Sequence, residues 1–301
     1  MSGGADTRCG FAALIGAPNA GKSTLVNALV GAKVSIVTHK VQTTRAVVRG
    51  IFLHGEAQVI LLDTPGIFAP RRRLDRAMVK TAWANAYDAD RVCALIDARR
   101  GIDEETGAIL EELTNVRQPK TLVLTKIDLV DPPALLSLAK AANEATRFED
   151  TFMISAQTGD GVAKVREHLS AAMPAGPWLY PEDQISDIPM RQLAAEITRE
   201  QLTLRLHEEL PYAATVETET WKTLRDGSVR IEQAVFVERE GQKKIVLGEK
   251  GRTIRAISVA ARQGIADLVG APVHLFLFVK VRPKWGDDPE RYREMGLEFF
   301  R

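Results

Sequence analysis

Apolar residues in the first half of the chain fall into short runs separated by longer amphipathic stretches. Phe11 to Ile15 forms one such run and leads into Gly16-Ala-Pro-Asn-Ala-Gly-Lys-Ser23, after which Thr24 to Val30 reads as a helix. Further runs rich in Val, Ile and Leu at 46–53, 57–62, 92–96, 121–125 and 152–154 have the length of buried strands. Stretches of helical period near 74–87, 104–116, 133–147 and 161–172 separate the later ones. His54-Gly55-Glu56 joins the first two of these runs as a hairpin turn. The alternation predicts an α/β domain: a mostly parallel sheet, helices on both faces and one antiparallel edge. Such a sheet puts ligands at the carboxyl ends of its strands.

The pattern changes between Pro174 and Pro189, where PAGPWLYPEDQISDIP has no sustained period. The expected organisation is a first domain over 1–173, a linker over 174–189 and a second domain over 190–301. In the second domain 190–209 is an amphipathic helix, and 213–224 with 228–238 form a hairpin about Arg225-Asp226-Gly227. Lys244 to Leu247 looks strand-like, 250–269 is helical with a break at Gly264, and 272–281 is a last strand. This is a compact α+β module.

Composition narrows the class without naming a chemistry. Of 301 residues, 45% are hydrophobic and 26% charged, values of a folded globular protein rather than a collagen-like or disordered one. With two cysteines, Cys9 and Cys93, there is neither a disulfide framework nor a metal spacing, so a reducing cytoplasm is expected. The start MSGGADTRCG lacks the shape of a secretory leader, and no apolar run reaches membrane-spanning length. The net charge of +1 means that any nucleic-acid binding must come from a local patch.

G-x-x-x-x-G-K-S at Gly16 to Ser23, between a strand and a helix, is a phosphate-binding loop. The backbone of Gly16, Ala17, Pro18, Asn19, Ala20 and Gly21 with the helix start at Thr24 can cradle phosphates, Lys22 reaches the terminal phosphates, and Ser23 ligates magnesium. Asp63-Thr64-Pro65-Gly66 follows the strand 57–62, so that Asp63 can hold magnesium through water and Gly66 can approach the γ-phosphate. Thr125-Lys126-Ile127-Asp128 ends another strand. A carboxylate such as Asp128 pairs with the N1–H and 2-amino donors of guanine, which adenine lacks, and so selects GTP. The Lys126 stem can lie along the base, and Ser155-Ala156 can offer it a backbone N–H.

These elements in this order resemble the translation-factor-like class of small GTPases. With the second half of the chain they resemble the Era family of bacterial GTPases over nearly the whole length. The resemblance implies a P-loop GTPase domain that binds GTP or GDP with Mg2+. It makes Gln42-Thr-Thr-Arg45 the first switch, with Thr44 a magnesium ligand, and Lys22, Thr44 and Gly66 the catalytic positions. The family has Asn where this chain has Thr125, a replacement that other small GTPases share. Ile67 stands where Ras-like enzymes carry the glutamine that orients attacking water, so slow intrinsic turnover is expected. Asn19 matches the asparagine that helps seat K+ in potassium-stimulated relatives; its competing reading is a turn residue.

In the second domain, 243–262 carries a local charge of +5. At its centre Gly248-Glu249-Lys250-Gly251, followed by a helix, has the arrangement of a KH-domain loop that clamps a single-stranded backbone. A type II KH domain is therefore expected. Lys243, Lys244, Arg252 and Arg255 flank the loop, Lys280 extends the basic surface, and Trp285 is a candidate base-stacking residue with core packing or a solvent-exposed tail as its alternatives. Arg71-Arg72-Arg73 is a charge run that either touches phosphate or is solvated. The resemblance implies as partners the 3′ end of 16S ribosomal RNA and the 30S subunit, with small-subunit maturation as the process. It also implies a monomer and a cytoplasmic location, with peripheral membrane association open. The competing functions are a non-enzymatic RNA chaperone and a membrane-associated regulator of growth or division.

Overall fold

A computed structural model describes residues 7–40, 43–70, 72–207 and 210–299. They form two compact units: one holds the described residues within 1–35, 44–187 and 293–301, the other those within 36–43 and 188–292.

The first unit is a six-stranded sheet of β1 (Arg8–Ile15), β2 (Val48–His54), β3 (Ala57–Asp63), β4 (Arg91–Asp97), β5 (Lys120–Thr125) and β6 (Asp150–Met153) in the order β2-β3-β1-β4-β5-β6. β2 runs antiparallel to β3, through the turn at Gly55, and the other pairings are parallel. β3 and β4 are buried along their whole length, the pattern of strands covered on both faces. One core layer gathers Leu14, Leu25, Leu29 and Val123 with Val165 and Leu169, beneath α1 (Lys22–Val30) and α5 (Val162–Ala172). The opposite layer gathers Ile15, Ile96 and Leu124 with Ala82, Leu110 and Ala142, beneath α2 (Arg73–Asp88), α3 (Glu104–Leu113) and α4 (Pro132–Ala145). The order in which strands are added reverses at β1, with β3 on one side and β4 on the other, all three parallel, which places the Gly16–Ser23 loop where a doubly wound sheet opens a crevice.

The expected linker is not a free spacer through most of its length. The Cys9 N–H donates to the Pro174 carbonyl at 3.0 Å, Gln58 Nε2 to the Tyr180 carbonyl at 2.8 Å, and the Ile51 N–H to the Ile185 carbonyl at 2.9 Å. Trp178 and Tyr180 pack on Ile51 and Ile60. Residues 174–187 thus belong to the first unit, because the edge of its sheet supplies partners that a periodicity search does not see. The chain end also departs from the expected boundary, since residues 293–299 count with the first unit, where Lys80 pairs with Glu298.

The second unit contains α6 (Met190–Arg205), β7 (Ala214–Thr223), β8 (Val229–Val237), α7 (Glu240–Leu247), α8 (Arg252–Val269), β9 (Val273–Val281) and the short α9 (Pro289–Glu294). Its sheet has the order β7-β8-β9, with β7 antiparallel and β9 parallel to β8. Two expectations are corrected here. Lys244 to Leu247 is helix, not strand: Gln242 Oε1 accepts the N–H groups of Glu238 and Arg239 at 2.9 and 3.1 Å, closing a helix start that overrides the β-leaning Ile-Val pair. Gly264 does not break α8, which runs unbroken; a Cβ there would stand 3.0 Å from Ile197 of α6, so the glycine serves close helix packing.

Candidate functional site

The loop after β1 turns on left-handed backbone. Asn19 has φ 64° and Gly21 φ 92°, conformations that Asn tolerates and Gly adopts freely. A Cβ on Gly16 would lie 2.5 Å from the Leu95 carbonyl oxygen, so only glycine lets the loop leave the sheet here. α1 then starts at Lys22 with no side chain capping it, which leaves its first N–H groups for an anion. Lys22 is buried, and its Nζ donates to the carbonyls of Gly16 at 3.0 Å and Ala17 at 2.9 Å. Burial pushes the ammonium down to about 8 against the opposing pull of Asp63.

Asp63, fully buried at the end of β3, is the convergence point. Its Oδ2 accepts from Ser23 Oγ at 2.7 Å, Ser35 Oγ at 2.5 Å and Thr44 Oγ1 at 3.5 Å, and the Ser23 and Thr44 oxygens are 3.0 Å apart. Its Oδ1 has no hydrogen-bond partner among the described residues. Burial raises this carboxyl's pKa, while the Ser35 and Ser23 hydroxyls, Lys22 and Thr44 pull the other way. A buried carboxylate with an orphan oxygen beside two hydroxyls fits a hard cation. No cluster of three or more His, Cys, Asp or Glu able to hold a metal occurs among the described residues. One carboxylate with the Ser23 and Thr44 hydroxyls suits Mg2+, which keeps several waters and is bound through one or two carboxylates plus substrate phosphates.

Thr64 Oγ1 ties the next residue to the Leu14 carbonyl at 2.6 Å. After the buried Pro65, Gly66 abuts the phosphate loop: a Cβ there would stand 2.8 Å from Pro18 Cα. The Ile67 N–H donates to the Gly16 carbonyl at 3.1 Å, and its side chain is committed to the core with Ile15, Ala17 and Ala82. Ile67 thus has no means of orienting water. Thr44 lies beside Ser23 and Asp63, whereas Gln42 of the expected first switch lies outside the described residues.

On the base side Thr125 Oγ1 is shared between the carbonyls of Ala20 at 2.8 Å and Ile96 at 3.2 Å, so its hydroxyl braces the phosphate loop. Lys126, at φ 58°, donates to the Asn19 carbonyl and to Asp97 Oδ2, each at 2.7 Å. Asp128 is exposed in a single tight turn over Ile127–Leu129. The Ser155 N–H is bound to the Asp160 carbonyl at 3.0 Å and its Oγ accepts the Thr158 N–H, which leaves Ala156 to offer a donor to a base.

Sequence reasoning missed Ser35, Asp97 and Asn27. Asn27 Oδ1 accepts the N–H groups of Val34 and Ser35 at 2.9 Å each, and its Nδ2 donates to the Ser35 carbonyl at 2.8 Å, holding Ser35 against Asp63. No motif marks Ser35; its role follows from the fold. Asp97 had a readable signal, as an acidic residue ending a buried strand, like Asp63.

In the second unit Gly248 (φ 71°), Lys250 (φ 52°) and Gly251 (φ 74°) make a sharp turn between α7 and α8. A Cβ on Gly248 would fall 2.2 Å from Thr253 Oγ1. Lys244, Glu249, Lys250, Arg252 and Arg255 are exposed and Lys243 half-buried, with Glu249 and Arg252 paired to each other. Ile245 of α7, 59% exposed, adds an apolar surface beside the charges. Lys280 lies at the edge strand, paired with Glu219 at 2.5 Å. Trp285 is a correction: it is 3% exposed and its Nε1 donates to the Ala213 carbonyl at 2.9 Å, so it is core and cannot stack a base. Arg71 lies outside the described residues, while the Arg72 N–H is bound to Asp75 at 2.9 Å and Arg73 sits over the Phe299 ring at 5.3 Å. No helix among the described residues is long and apolar enough to cross a membrane.

Residues 11–126 match the family model of the 50S ribosome-binding GTPases, and 209–286 match the KH domain. The chain is 68% identical to GTPase Era of Brucella suis biovar 1 (strain 1330) over 97% of this chain and 94% of that protein. It is 66% identical to GTPase Era of Rhizobium meliloti (strain 1021), over 99% and 95%. Among solved structures, Era in complex with MgGDPNP and nucleotides 1506–1542 of 16S ribosomal RNA superposes with TM-score 0.90 at 36% identity, covering 96% of this chain and 99% of that one. A single-substitution variant of Aquifex aeolicus Era bound to GDP and AlF4− matches with the same TM-score at 35% identity.

Proposed function

Since the chain belongs to the Era family of GTPases, we propose that it is a GTP-hydrolysing switch whose KH domain takes up the 3′ end of 16S ribosomal RNA during maturation of the small ribosomal subunit. The observation that carries the nucleotide half is the convergence of Ser23, Ser35 and Thr44 on one buried Asp63 beside Lys22. The RNA half rests on the exposed GEKG turn between two helices, together with the relative that holds such an RNA.

In this reading the loop N–H groups and the start of α1 bind the β- and γ-phosphates, and Lys22 exchanges its bonds to the Gly16 and Ala17 carbonyls for phosphate oxygens. Ser23 and Thr44 would hold Mg2+, with Asp63 fixing its water; the ion offsets charge that develops on the phosphates. Gly66, pressed on Pro18, brings a backbone N–H close to the γ-phosphate, where it can position transferring oxygens. Asp128 reads guanine and the Lys126 stem supports the base. Ile67 offers no hydrogen bond to water, so intrinsic turnover is slow and needs another group. We assign to Asn19 a part in seating K+ beside the phosphates. Lys250, Arg252, Arg255, Lys243, Lys244 and the backbone of Gly248 to Gly251 hold the RNA backbone, with Ile245 beneath the bases.

Base selectivity tests the assignment. Asp128→Asn turns an acceptor pair into an acceptor and a donor, which suits xanthine. Phosphate release should shift from GTP toward xanthosine triphosphate in the variant; unchanged GTP affinity contradicts the site.

A further inference from the structure

Three hydroxyls converge on Asp63 Oδ2, and one of them stands apart from the nucleotide motifs. Ser23 Oγ, at 2.7 Å, belongs to the phosphate loop, and Thr44 Oγ1, at 3.5 Å, lies 3.0 Å from it. Ser35 Oγ donates at 2.5 Å from beyond the end of α1. Ser35 and Asp63 are both almost fully buried. What brings Ser35 there is the way α1 ends: Gly31, at φ 81°, adopts the left-handed conformation that stops the helix and turns the chain back. Asn27, in the last turn of α1, clamps the returning backbone. Its Oδ1 accepts the N–H groups of Val34 and Ser35 at 2.9 Å each, and its Nδ2 donates to the Ser35 carbonyl at 2.8 Å.

These bonds hold both peptide groups that flank the Ser35 Cα, so its hydroxyl has little freedom to leave Asp63. A carboxylate is planar, and a short charge-assisted bond on one oxygen therefore fixes where the other lies. Here the donors gather on Oδ2, while Oδ1 is buried and has no partner among the described residues. Oδ1 is thus the acceptor left for a water of a bound cation. The Ser23 and Thr44 oxygens are themselves assigned to the cation in the reading above. Ser35 has no such second duty, and its bond can hold Asp63 with or without a cation.

We propose that Ser35, clamped by Asn27, is a positioning residue of the magnesium site, whose hydroxyl holds the Asp63 carboxylate in the setting that accepts a metal-bound water. The proposal rests on the nucleotide-site reading above and adds to it a residue that no motif contains. Hydrogen bonds that orient a metal's partners are worth about 10–100-fold in metal affinity. Nucleotide binding in the absence of metal relies instead on the loop N–H groups, Lys22 and Asp128, and does not draw on Ser35. The two affinities therefore separate a positioning role from general damage to the fold.

The test uses Mn2+, which takes the same oxygen ligands as Mg2+ and is visible by electron paramagnetic resonance. It is titrated into the GDP complexes of full-length wild type, Ser35→Ala, Asn27→Asp, the double variant and Asp63→Asn, and GDP affinity is measured separately in EDTA. Ser35→Ala should weaken Mn2+ binding at least about tenfold, while its GDP affinity in EDTA stays within about threefold of wild type, roughly the error allowed for an independent site. Asn27→Asp keeps the acceptor for the two N–H groups but loses the bond to the Ser35 carbonyl, and should weaken Mn2+ in the same direction with the hydroxyl still present. The double variant should bind Mn2+ no more weakly than Ser35→Ala, because two residues acting through one bond are not additive. Mn2+ affinity within about twofold of wild type in Ser35→Ala, well short of the tenfold expected, overturns the proposal. Equal losses of Mn2+ binding and of GDP binding in EDTA overturn it too, since the defect is then a general one. Wild-type Mn2+ affinity in Asp63→Asn instead removes the reading of the metal site on which the proposal rests.

Discussion

At the scale of single residues, Lys22 carries a testable consequence of its burial. An ammonium lowered to about 8 in the free protein regains its ordinary affinity for protons beside phosphate oxygens. Nucleotide binding at pH 8 should therefore take up about half a proton, and almost none at pH 6.5. Calorimetry in buffers of different ionisation enthalpy measures this uptake; equal heats across buffers at pH 8 would mean that Lys22 is fully charged beforehand. The sign for stability follows. Between pH 8 and 10.5 the unfolded chain holds the proton more tightly, so the Lys22 contribution to the free protein's stability rises with pH across that window. Ile67 makes the complementary case, because its side chain lies in the core. Ile67→Ala should cost roughly 2–4 kcal/mol in urea unfolding, the usual loss for a buried aliphatic truncation. Turnover per folded molecule should stay within about threefold, since no hydrogen bond to water is removed. A thousandfold loss of turnover would show a catalytic part for this side chain.

At the scale of elements, the phosphate loop was legible because its chemistry and its neighbours are local: strand, glycines, lysine, serine and helix are consecutive. The GEKG turn was legible for the same reason. What escaped was set by contacts distant in sequence. Ser35 matters only because Asn27 pins it against a carboxylate 28 positions away. Trp285 looked like a stacking residue because nothing near it in sequence discloses the Ala213 carbonyl that takes its N–H. The strand expected at Lys244 to Leu247 failed because a glutamine cap outweighs two β-branched residues. The expected linker failed because the edge strand β2 and the buried Gln58 of β3 bind it. Asn19 gives the loop its own prediction. Replacing K+ by Na+ should slow GTP turnover in the wild type, and Asn19→Ala should abolish the difference. Equal wild-type rates in the two salts, read by phosphate release, would leave Asn19 as a turn residue only.

At the scale of the whole molecule, a chain of net charge +1 concentrates positive charge around the KH turn, and GTP chemistry resides in a unit with its own core. Replacing Glu249 and Lys250 with a pair of aspartates changes only that turn, and Lys250 lies among exposed residues, so the fold and the nucleotide site should survive. The most direct measurement is a titration of wild type and this double variant with single-stranded RNA from the 3′ end of 16S ribosomal RNA and with a scrambled strand of equal length, with GTP turnover followed in the same samples. The account predicts that wild type prefers the native strand, that its affinity falls steeply with salt, and that the variant loses this binding while its basal turnover is unchanged. Native-strand binding by the variant as tight as that of wild type, in GTP-analogue and GDP states alike, would contradict the assignment of the Gly248–Gly251 turn as the RNA clamp.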